Sequence, residues 1–421
     1  MEASTMVHGL ADSARAAART LHAASADERT SAVRAIADAL EAHSERIRLA
    51  NSEDMKRGES SGMQSSMLDR LLLTKERIHG MAEGARAVAA LPDPLNRTLN
   101  ERTLSNGLKL KQISVPFGIV GMVYEARPNV TVDAAAILLK SGNAALLRGS
   151  SSAASSNAVL VEIMREALAA TAISPDVIQL VPSDDRSTVS ALLHARGKVD
   201  LVIPRGSADL IRSVVDDSTV PTIETGAGVC HVYVDEFADL DKALPILLNS
   251  KTHRPSVCNA AETLLVHSSV AAKFLPVAIA ALTEAGVKIH ADNESRQIAQ
   301  ASGISVETAE EANWSTEYNS LEMNIAVVSS LVAAADHIQK YGTQHTEAIV
   351  TENEERAHQF IALSDCAAVM VNASTRFTDG EQMGFGAEIG ISNQKLHARG
   401  PMGLEQMTTT TWIVWGTGQI R

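Results

Sequence analysis

Strand and helix patterns alternate between residues 115 and 226, and this alternation constrains the fold more than any other feature of the sequence. Short apolar runs bounded by turn residues predict strands, and helix patterns separate them. The predicted strands are NAALLRG (143–149), VIQLV (177–181), VDLVI (199–203) and TVPTIE (219–224). Strands that alternate with helices pack as a parallel, doubly wound sheet, whose ligands bind at the carboxyl ends of the strands.

A second α/β series follows the first. Its predicted strands are VCHVYVD (229–235), AETLLVH (261–267), EMNIAVV (322–328), EAIVT (347–351) and CAAVMVN (366–372). The tail MTTTTWIVWG (407–416) is a Thr-rich strand pattern with two tryptophans. An exposed terminal strand of this type is often paired by another subunit. We therefore expect a homo-oligomer, either a dimer or a tetramer.

The order of the patterns divides the chain into three predicted parts. They are N-terminal helices with a nucleotide-binding domain (1–96 and 116–226), a catalytic α/β domain (227–400) and oligomerisation strands (97–115 and 401–421). Within the first part, Ser25 and Glu28 have the spacing of a capping box and predict the start of a helix there.

Composition and charge exclude several classes of function. The formal net charge of −13 repels phosphate, so we expect neither nucleic-acid nor membrane-surface binding. Three cysteines, Cys230, Cys258 and Cys366, are too few and too scattered for a disulfide framework, which indicates a reducing, cytoplasmic compartment. No apolar run is long enough for a membrane span. The 13 histidines lack metal-ligand spacing, so no metal site is predicted.

Two similar turns lie at the carboxyl edge of the first predicted sheet. One comprises Arg148, Gly149 and Ser150, and the same tripeptide recurs at 205–207. Each turn begins a helix, where unpaired N–H groups and the helix dipole favour a phosphate. A single turn of this kind is more often a plain strand-to-helix connection. Two on one edge, each led by an arginine, favour a nucleotide.

Cys258 stands in the polar segment THRPSVCNAAETLLVH (252–267), ahead of the apolar strand pattern. Lys251, His253 and Arg254 lie within seven residues upstream of the thiol. Positive charge lowers the pKa of a thiol, and the N–H groups that follow are able to bind an oxyanion. A cysteine without such neighbours is more often a buried small apolar residue, which suits the other two cysteines. Cys258 is therefore the predicted nucleophile.

Glu224 ends a predicted strand and is followed by TGAG, whose glycines permit a close approach of the backbone. A carboxylate at this edge is suited to act as a base or a proton relay. The alternative is a solvated charge at a strand end. Glu224 precedes Cys258 by 34 residues, about one βα unit and a strand, so both are able to reach one cleft.

Two further segments carry candidate polar groups. Asn129 follows Pro128 in YEARPNVTVD, where its amide is suited either to hold an oxyanion or to form an Asx turn. The glycine-rich segment GFGAEIGISNQKLHARGPMGLE (384–405) includes Lys395, His397 and Arg399. It reads either as a loop that folds over an anionic substrate or as a flexible surface loop.

Together these residues resemble the aldehyde dehydrogenase superfamily, in which a nucleotide domain ends in Glu-x-Gly-x-Gly and a nucleophilic cysteine follows. The long segments at 115–150, 253–267 and 384–405 resemble the members that reduce L-glutamyl 5-phosphate to L-glutamate 5-semialdehyde in proline biosynthesis. The resemblance implies an aldehyde dehydrogenase-like α/β fold, with a cofactor domain, a second catalytic domain and a small β oligomerisation element.

The resemblance also implies roles for single residues in catalysis. Cys258 stands at the position of the nucleophile that forms a thioester, and Glu224 at that of the general base. The usual Pro-Trp-Asn-Phe segment is replaced by the residues from Glu125 to Asn129. A count without gaps places Glu125 at the position of the oxyanion asparagine, whereas the chemistry prefers Asn129.

For the cofactor, the resemblance implies NADPH. Glu322 matches the glutamate that holds the nicotinamide ribose, and Gly206 and Ser207 match the turn at the pyrophosphate. Arg148 replaces the lysine that contacts the adenosine ribose. A guanidinium there suits the 2′-phosphate of NADPH, because it is able to grip a phosphate with two hydrogen bonds.

For the substrate, the mechanism that the resemblance implies makes Arg254 a candidate contact for the departing phosphate. Lys395, His397 and Arg399 are candidates for the α-carboxylate. Whether an upstream glutamate kinase hands over the acyl phosphate stays open. So do three other functions: an acylating or oxidising aldehyde dehydrogenase of different substrate, a non-catalytic scaffold, and a thiol hydrolase with His231 or His253 as base.

Overall fold

The structure, a computed structural model, describes residues 2–125 and 127–421, without the side chain of Ser66. The chain forms two compact units. The first runs to Thr225 and also takes in Gly384–Gly390 and Met402–Arg421. The second comprises Gly226–Met383 and Ile391–Pro401. Within the described residues, no helix is both long enough and apolar enough to cross a membrane.

The first unit begins with a helical region and two strands. They are α1 (Glu2–Ala23), α2 (Ala26–Ala42), α3 (Ser44–Ser60), α4 (Ser65–Leu71), α5 (Lys75–Ala90), β1 (Thr98–Thr103) and β2 (Lys109–Pro116). The predicted capping box is confirmed at the start of α2: the Glu28 N–H donates to Ser25 Oγ, and the Ser25 N–H donates to Glu28 Oε2 at 2.7 Å. Val33, Ile36 and Leu40 then form the buried face of α2.

A parallel sheet in the order β5-β4-β3-β6 forms the centre of the first unit. Its elements are β3 (Ile119–Tyr124), α6 (Asn129–Lys140), β4 (Ala144–Arg148), α7 (Ala154–Ala169), β5 (Ile178–Leu180), α8 (Ser187–Leu193), β6 (Leu201–Arg205) and α9 (Ala208–Asp217). The strands β3 and β4 are wholly buried, as expected for a sheet covered by helices. The predicted doubly wound fold is confirmed.

The prediction of a strand at 219–224 is wrong. The segment makes an isolated bridge between Thr222 and Val202, with the Val202 N–H donating to Pro221 O and the Ile223 N–H donating to Val202 O. Pro221 has no N–H to extend the ladder, so the pairing ends there. Glu224 therefore lies in irregular backbone rather than at the end of a strand.

The second unit is built on a larger parallel sheet in the order β10-β9-β11-β8-β7-β12-β13. Its elements are β7 (Cys230–Val234), α10 (Leu240–Thr252), β8 (Ala261–His267), α11 (Ser268–Glu284), β9 (Lys288–Ala291), α12 (Asn293–Ala301), β10 (Glu307–Thr308), β11 (Glu322–Val328), α13 (Leu331–Tyr341), β12 (Thr346–Val350), α14 (Glu354–Leu363), β13 (Ala368–Val371), β14 (Ile391–Ser392) and β15 (Gly400–Pro401). Strands β14 and β15 form a separate antiparallel pair.

The register of the larger sheet aligns the amino ends of its central strands. Cys230 of β7 pairs with Ala261 of β8, and Thr346 of β12 pairs with Ala368 of β13. Segments that precede these strands are therefore neighbours along one edge of the sheet, about 5 Å apart from strand to strand.

Strand β16 (Thr408–Trp415) completes the first unit by pairing antiparallel with β2, which also pairs with β1. The sheet order β1-β2-β16 leaves β16 at an edge. Trp412, Val414 and Trp415 on this strand are exposed. Pairing of this edge with a second subunit stays a prediction.

A buried ion pair joins α10 to β8 in the second unit. The Lys251 ammonium lies 2.6 Å from the Glu262 carboxylate, and both side chains are inaccessible to solvent. Burial raises the pKa of Glu262 to about 7 and lowers the pKa of Lys251. Each charge therefore depends on the other, because a lone buried charge is costly.

We expect Lys251→Met to destabilise the protein by about 3 kcal/mol, because it leaves the Glu262 carboxylate buried without a cation. The loss should be smaller at pH 5 than at pH 8. The pKa of Glu262 is raised on folding, so at pH 5 the buried carboxyl is protonated and carries no charge. As the pH rises through this pKa, the carboxyl becomes charged and the folded state loses stability. Thermal unfolding at the two pH values measures the effect. The matched control is Lys251→Met combined with Glu262→Leu, which should recover most of the loss; a double variant as unstable as the single would contradict the expectation.

Candidate active site

Cys258 lies in the turn that leads from α10 into β8, and its side chain is half-buried. The residue beside it fixes this turn. The Asn259 amide donates to Thr378 O at 2.8 Å, and the Thr375 hydroxyl donates to Asn259 O at 2.6 Å. Asn259 is itself buried, so these bonds are shielded from water. The Cys258 turn is thus held against the segment 374–378.

Close backbone packing from the segment that precedes β7 supports the Cys258 turn. A Cβ atom at Gly228 would lie 1.5 Å from Cys258 O, so no larger residue fits there. A Cβ atom at Gly226 would likewise overlap the Asn393 side chain. The predicted close approach of the backbone at these glycines is confirmed.

Cys230 supports the same carbonyl and is a packed thiol. Its Sγ donates to Cys258 O at 3.2 Å. Cys230 is fully buried, and burial raises its pKa well above the ordinary value of a thiol. The half-buried Cys366 also has its pKa raised by burial, to about 12. Both thiols therefore stay protonated near neutral pH, which agrees with their prediction as packed residues.

The cations predicted around Cys258 divide into two kinds. Lys251 points into the core, where Glu262 compensates its charge, so it supplies no uncompensated charge to the turn. His253 and Arg254 are exposed. Arg376 donates from Nε to His253 Nδ1 at 3.4 Å, although 123 residues separate the two in sequence. Sequence reasoning missed Arg376, Asn259 and Thr378, because no local motif links such distant segments.

Glu322 opens β11, the strand beside β8, and lies level with the start of β8. Its carboxylate is 2.5 Å from His290 Nε2 and 3.4 Å from Lys288 Nζ. The hydrogen bond from His290 holds the pKa of Glu322 below its usual value, and the side chain is 26% exposed. It is therefore an ionised acceptor with room for a further donor, as a bound ribose requires.

Lys395 and Arg399 meet at one carboxylate in front of β13. Lys395 Nζ lies 2.6 Å and Arg399 Nη2 lies 2.9 Å from Asp365, and these two cations lower the pKa of Asp365. Two cations on one anion leave one positive charge in excess. The exposed His397 between them adopts a left-handed backbone conformation, with φ of 67°. The residues predicted to bind the substrate thus lie at the amino edge of the larger sheet. Cys258, which precedes β8, lies at the same edge.

The turn at Gly206 and Ser207, in the first unit, already holds an anion. The Ser207 N–H donates to Glu125 Oε2 at 2.7 Å, and the Ser207 hydroxyl lies 3.2 Å from Glu125 Oε1. A Cβ atom at Gly206 would lie 2.5 Å from the same carboxylate. Ser207 also caps α9 through the Leu210 N–H. The turn is therefore shaped for an oxyanion at a helix start.

The turn at Arg148, Gly149 and Ser150 is less accessible than the turn at Gly206 and Ser207. Arg148 is 8% exposed, and its guanidinium donates to Gly149 O at 3.0 Å and to Asp185 O at 3.3 Å. A Cβ atom at Gly149 would overlap the Asn157 amide. The Ser150 hydroxyl caps the short helical turn that leads into α7 by accepting from the Ser152 N–H.

Asn129 and Glu224 belong to the first unit, whereas Cys258 belongs to the second. Asn129 starts α6, and its amide donates to Asp133 Oδ2 at 3.0 Å. Burial raises the pKa of Asp133 to about 6. Glu224 is half-buried. The meeting of Asn129 and Glu224 with the thiol stays a prediction.

We expect Gly228→Ala to displace the Cys258 turn, because the new methyl group would overlap the Cys258 carbonyl. A shift of about 1 Å at a reacting group costs about a hundredfold in rate. The alkylation rate of Cys258, followed by mass spectrometry, should fall, and the turnover rate with it. Gly80→Ala is the matched control, since a Cβ atom there meets nothing within 4 Å. Equal alkylation rates in the two variants would contradict the expectation.

Comparison with known proteins places the chain in a family. The model of the aldehyde dehydrogenase family matches residues 2–313. A gamma-glutamyl phosphate reductase of Thermobifida fusca is 54% identical over 415 residues, 99% of this chain and 98% of the relative. The same enzyme of Kineococcus radiotolerans is 53% identical and covers 97% of this chain and 94% of its own length.

A solved structure agrees with these sequences. The crystal structure of gamma-glutamyl phosphate reductase from Thermotoga maritima superposes with a TM-score of 0.96 at 43% identity and covers 99% of both chains. An acetylating aldehyde dehydrogenase from Geobacillus thermoglucosidasius shares the fold at 18% identity, with a TM-score of 0.71 over 100% of this chain and 98% of its own. The chain therefore belongs to the aldehyde dehydrogenase family, which includes the gamma-glutamyl phosphate reductases that it matches over nearly its whole length.

Proposed function

We propose that the chain reduces L-glutamyl 5-phosphate to L-glutamate 5-semialdehyde and releases phosphate, with NADPH as reductant and Cys258 as nucleophile. The near-full-length match to gamma-glutamyl phosphate reductases carries this proposal. Membership of the aldehyde dehydrogenase family makes the chain an oxidoreductase. In the proposed role it catalyses the second step of proline biosynthesis from glutamate.

The first chemical step uses the Cys258 thiolate. Its sulfur forms a bond with the γ-carbonyl carbon, and the bond from that carbon to the phosphate oxygen breaks, so that inorganic phosphate leaves and a thioester remains. The Cys258 N–H and the Asn129 amide hold the oxyanion. Arg254 is exposed in the same turn and is the proposed partner of the departing phosphate.

The second step converts the thioester to the aldehyde. When bound, the nicotinamide cofactor supplies the hydride that this reduction requires. The resulting alkoxide re-forms the carbonyl and expels the Cys258 thiolate, which needs no water. Glu224 therefore has no water to activate, and we assign it the transfer of a proton to and from the thiol.

The chain offers residues for each part of the cofactor. The turn at Gly206 and Ser207 suits the pyrophosphate, because its N–H and hydroxyl groups already hold a carboxylate. Glu322 suits the nicotinamide ribose. Arg148, with Gly149 and Ser150, stands at the proposed adenosine end.

The far end of the substrate carries an α-carboxylate. We assign it to Lys395, His397 and Arg399, since Asp365 leaves one positive charge of this group in excess. A thiol hydrolase with His231 as base finds less support, because His231 is fully buried and bonded to Glu347 at 2.9 Å.

We expect purified protein to reduce NADP with glutamate 5-semialdehyde only when phosphate is present, because phosphate must take the acyl group from Cys258. Cys258→Ala should abolish turnover, whereas Cys366→Ala, the matched control, should keep it. Absorbance of NADPH measures both. Oxidation of simple aldehydes without phosphate would contradict the proposed substrate.

We expect Glu125→Gln to bind NADPH about two- to fivefold more tightly, since it removes a negative charge from the pyrophosphate turn. Titration of NADPH fluorescence measures the change. Glu45→Gln, on the exposed face of α3, controls for net charge. Weaker binding in Glu125→Gln than in the control would show that Glu125 supports the turn instead of competing with the cofactor.

A further inference from the structure

We infer that Arg57 and Lys56, on the helix α3, bind the ribose 2′-phosphate of NADPH and set the preference of the chain for NADPH over NADH. The inference rests on the proposed function, because it concerns the same cofactor. It assigns the phosphate to a part of the chain outside the α/β sheet, and it leaves Arg148 to position the strand-to-helix turn.

Two adjoining cavities of the first unit carry this inference. The first has a volume of about 490 Å³, and its lining includes Arg57, Ser151, Ser155 and Pro182. The second has a volume of about 680 Å³, and its lining includes Lys56, Arg57, Ser151 and Ser152. Arg57 and Ser151 line both cavities, so these two residues mark the place where the cavities meet. Ser151 follows directly on the turn at 148–150, where the adenosine end of the cofactor is proposed to lie.

The groups around this meeting point suit a phosphate monoester. Such a group carries nearly two negative charges and accepts several hydrogen bonds. Lys56 supplies positive charge, Arg57 supplies N–H donors of a guanidinium that also pairs with Asp54, and the hydroxyls of Ser151 and Ser152 supply further donors. The described residues that line the second cavity include no carboxylate, whereas Asp184 lines the first. The phosphate therefore lies on the side of the second cavity.

Arg57 is held in place but keeps exposed donors. Its Nη2 donates to the Ser155 hydroxyl at 3.0 Å and pairs with the buried Asp54. The side chain is nevertheless 51% exposed. An arginine that is oriented beforehand loses less freedom when it grips a phosphate with its planar group.

The positive group of the turn at 148–150 is already engaged. The Arg148 guanidinium is buried and donates to main-chain carbonyls. The start of α7 is closed as well, because Asp54 accepts from the Ser155 N–H at 3.1 Å and from the Ser156 N–H at 2.7 Å. A phosphate at this end of the cofactor must therefore find its charge in exposed side chains, and α3 provides two that line the second cavity.

The test compares the binding of NADPH and NADH to the full chain by fluorescence titration, with adenosine 2′,5′-bisphosphate and adenosine 5′-phosphate as probes of the adenosine end. Lys56→Ala should weaken NADPH binding about tenfold and Arg57→Ala about thirtyfold, with NADH unchanged within about twofold. Arg48→Ala, a matched loss of charge elsewhere on α3, should change neither. Because Arg57 also pairs with Asp54, thermal unfolding accompanies each variant. The exposed Lys56 provides a variant without that contact.

The possible outcomes separate failure of the inference about α3 from failure of the proposed function. Equal weakening of NADPH and NADH, or no weakening of either, would overturn the inference and leave the proposed function intact. The same holds if Arg148→Ala loses NADPH selectively while the α3 variants do not, or if the wild type binds both cofactors alike. A wild type that binds neither cofactor would overturn the proposed function itself.

Discussion

The contact between Gly228 and the carbonyl of Cys258 is the constraint on which the second unit's site depends. Parallel strands bring their amino ends to one edge of a sheet, but they do not by themselves fix a turn in front of that edge. Here the backbone of the segment before β7 lies where any side chain would collide with the Cys258 carbonyl. The Cys230 thiol donates to the same carbonyl, and Asn259 fastens the other side of the turn. The position of the Cys258 backbone, and so of the proposed nucleophile, is therefore set by main-chain packing, which is stiffer than side-chain packing.

The fold could be predicted from the sequence and is confirmed, whereas the role of Cys258 as nucleophile stays a prediction; both rest on local signals. Apolar runs separated by helix patterns revealed the two parallel sheets, and the polar approach to an apolar strand distinguished Cys258 from Cys230. The prediction of a strand at 219–224 was wrong, because its β-branched residues suggested a ladder that Pro221 is unable to continue. The sequence also did not indicate which way the Lys251 side chain points. Only the fold shows that it faces Glu262 in the core.

The chain's own carboxylates occupy positions that a helix dipole would otherwise offer to phosphate. Asp54 closes the start of α7, and Glu125 sits at the start of α9. The first is buried and belongs to the structure, whereas the second bonds to Ser207 at an exposed turn. A sequence pattern identifies a helix start, but it does not tell whether a distant acidic residue already fills it. For this reason the two similar tripeptide turns, at 148–150 and 205–207, are unequal in the folded chain.

The edge strand β16 carries two tryptophans whose intrinsic fluorescence serves as a probe. Trp412 and Trp415 are two of the protein's three tryptophans, and both are exposed on this strand, with the Arg102 guanidinium 5.6 Å from the Trp412 ring centre. Trp314 lies in the second unit, beside His337. Burial of the two edge indoles by another subunit would shift their emission to shorter wavelength as the protein is concentrated. If β16 pairs with a second subunit, intrinsic fluorescence would therefore report chiefly on assembly rather than on events at the thiol.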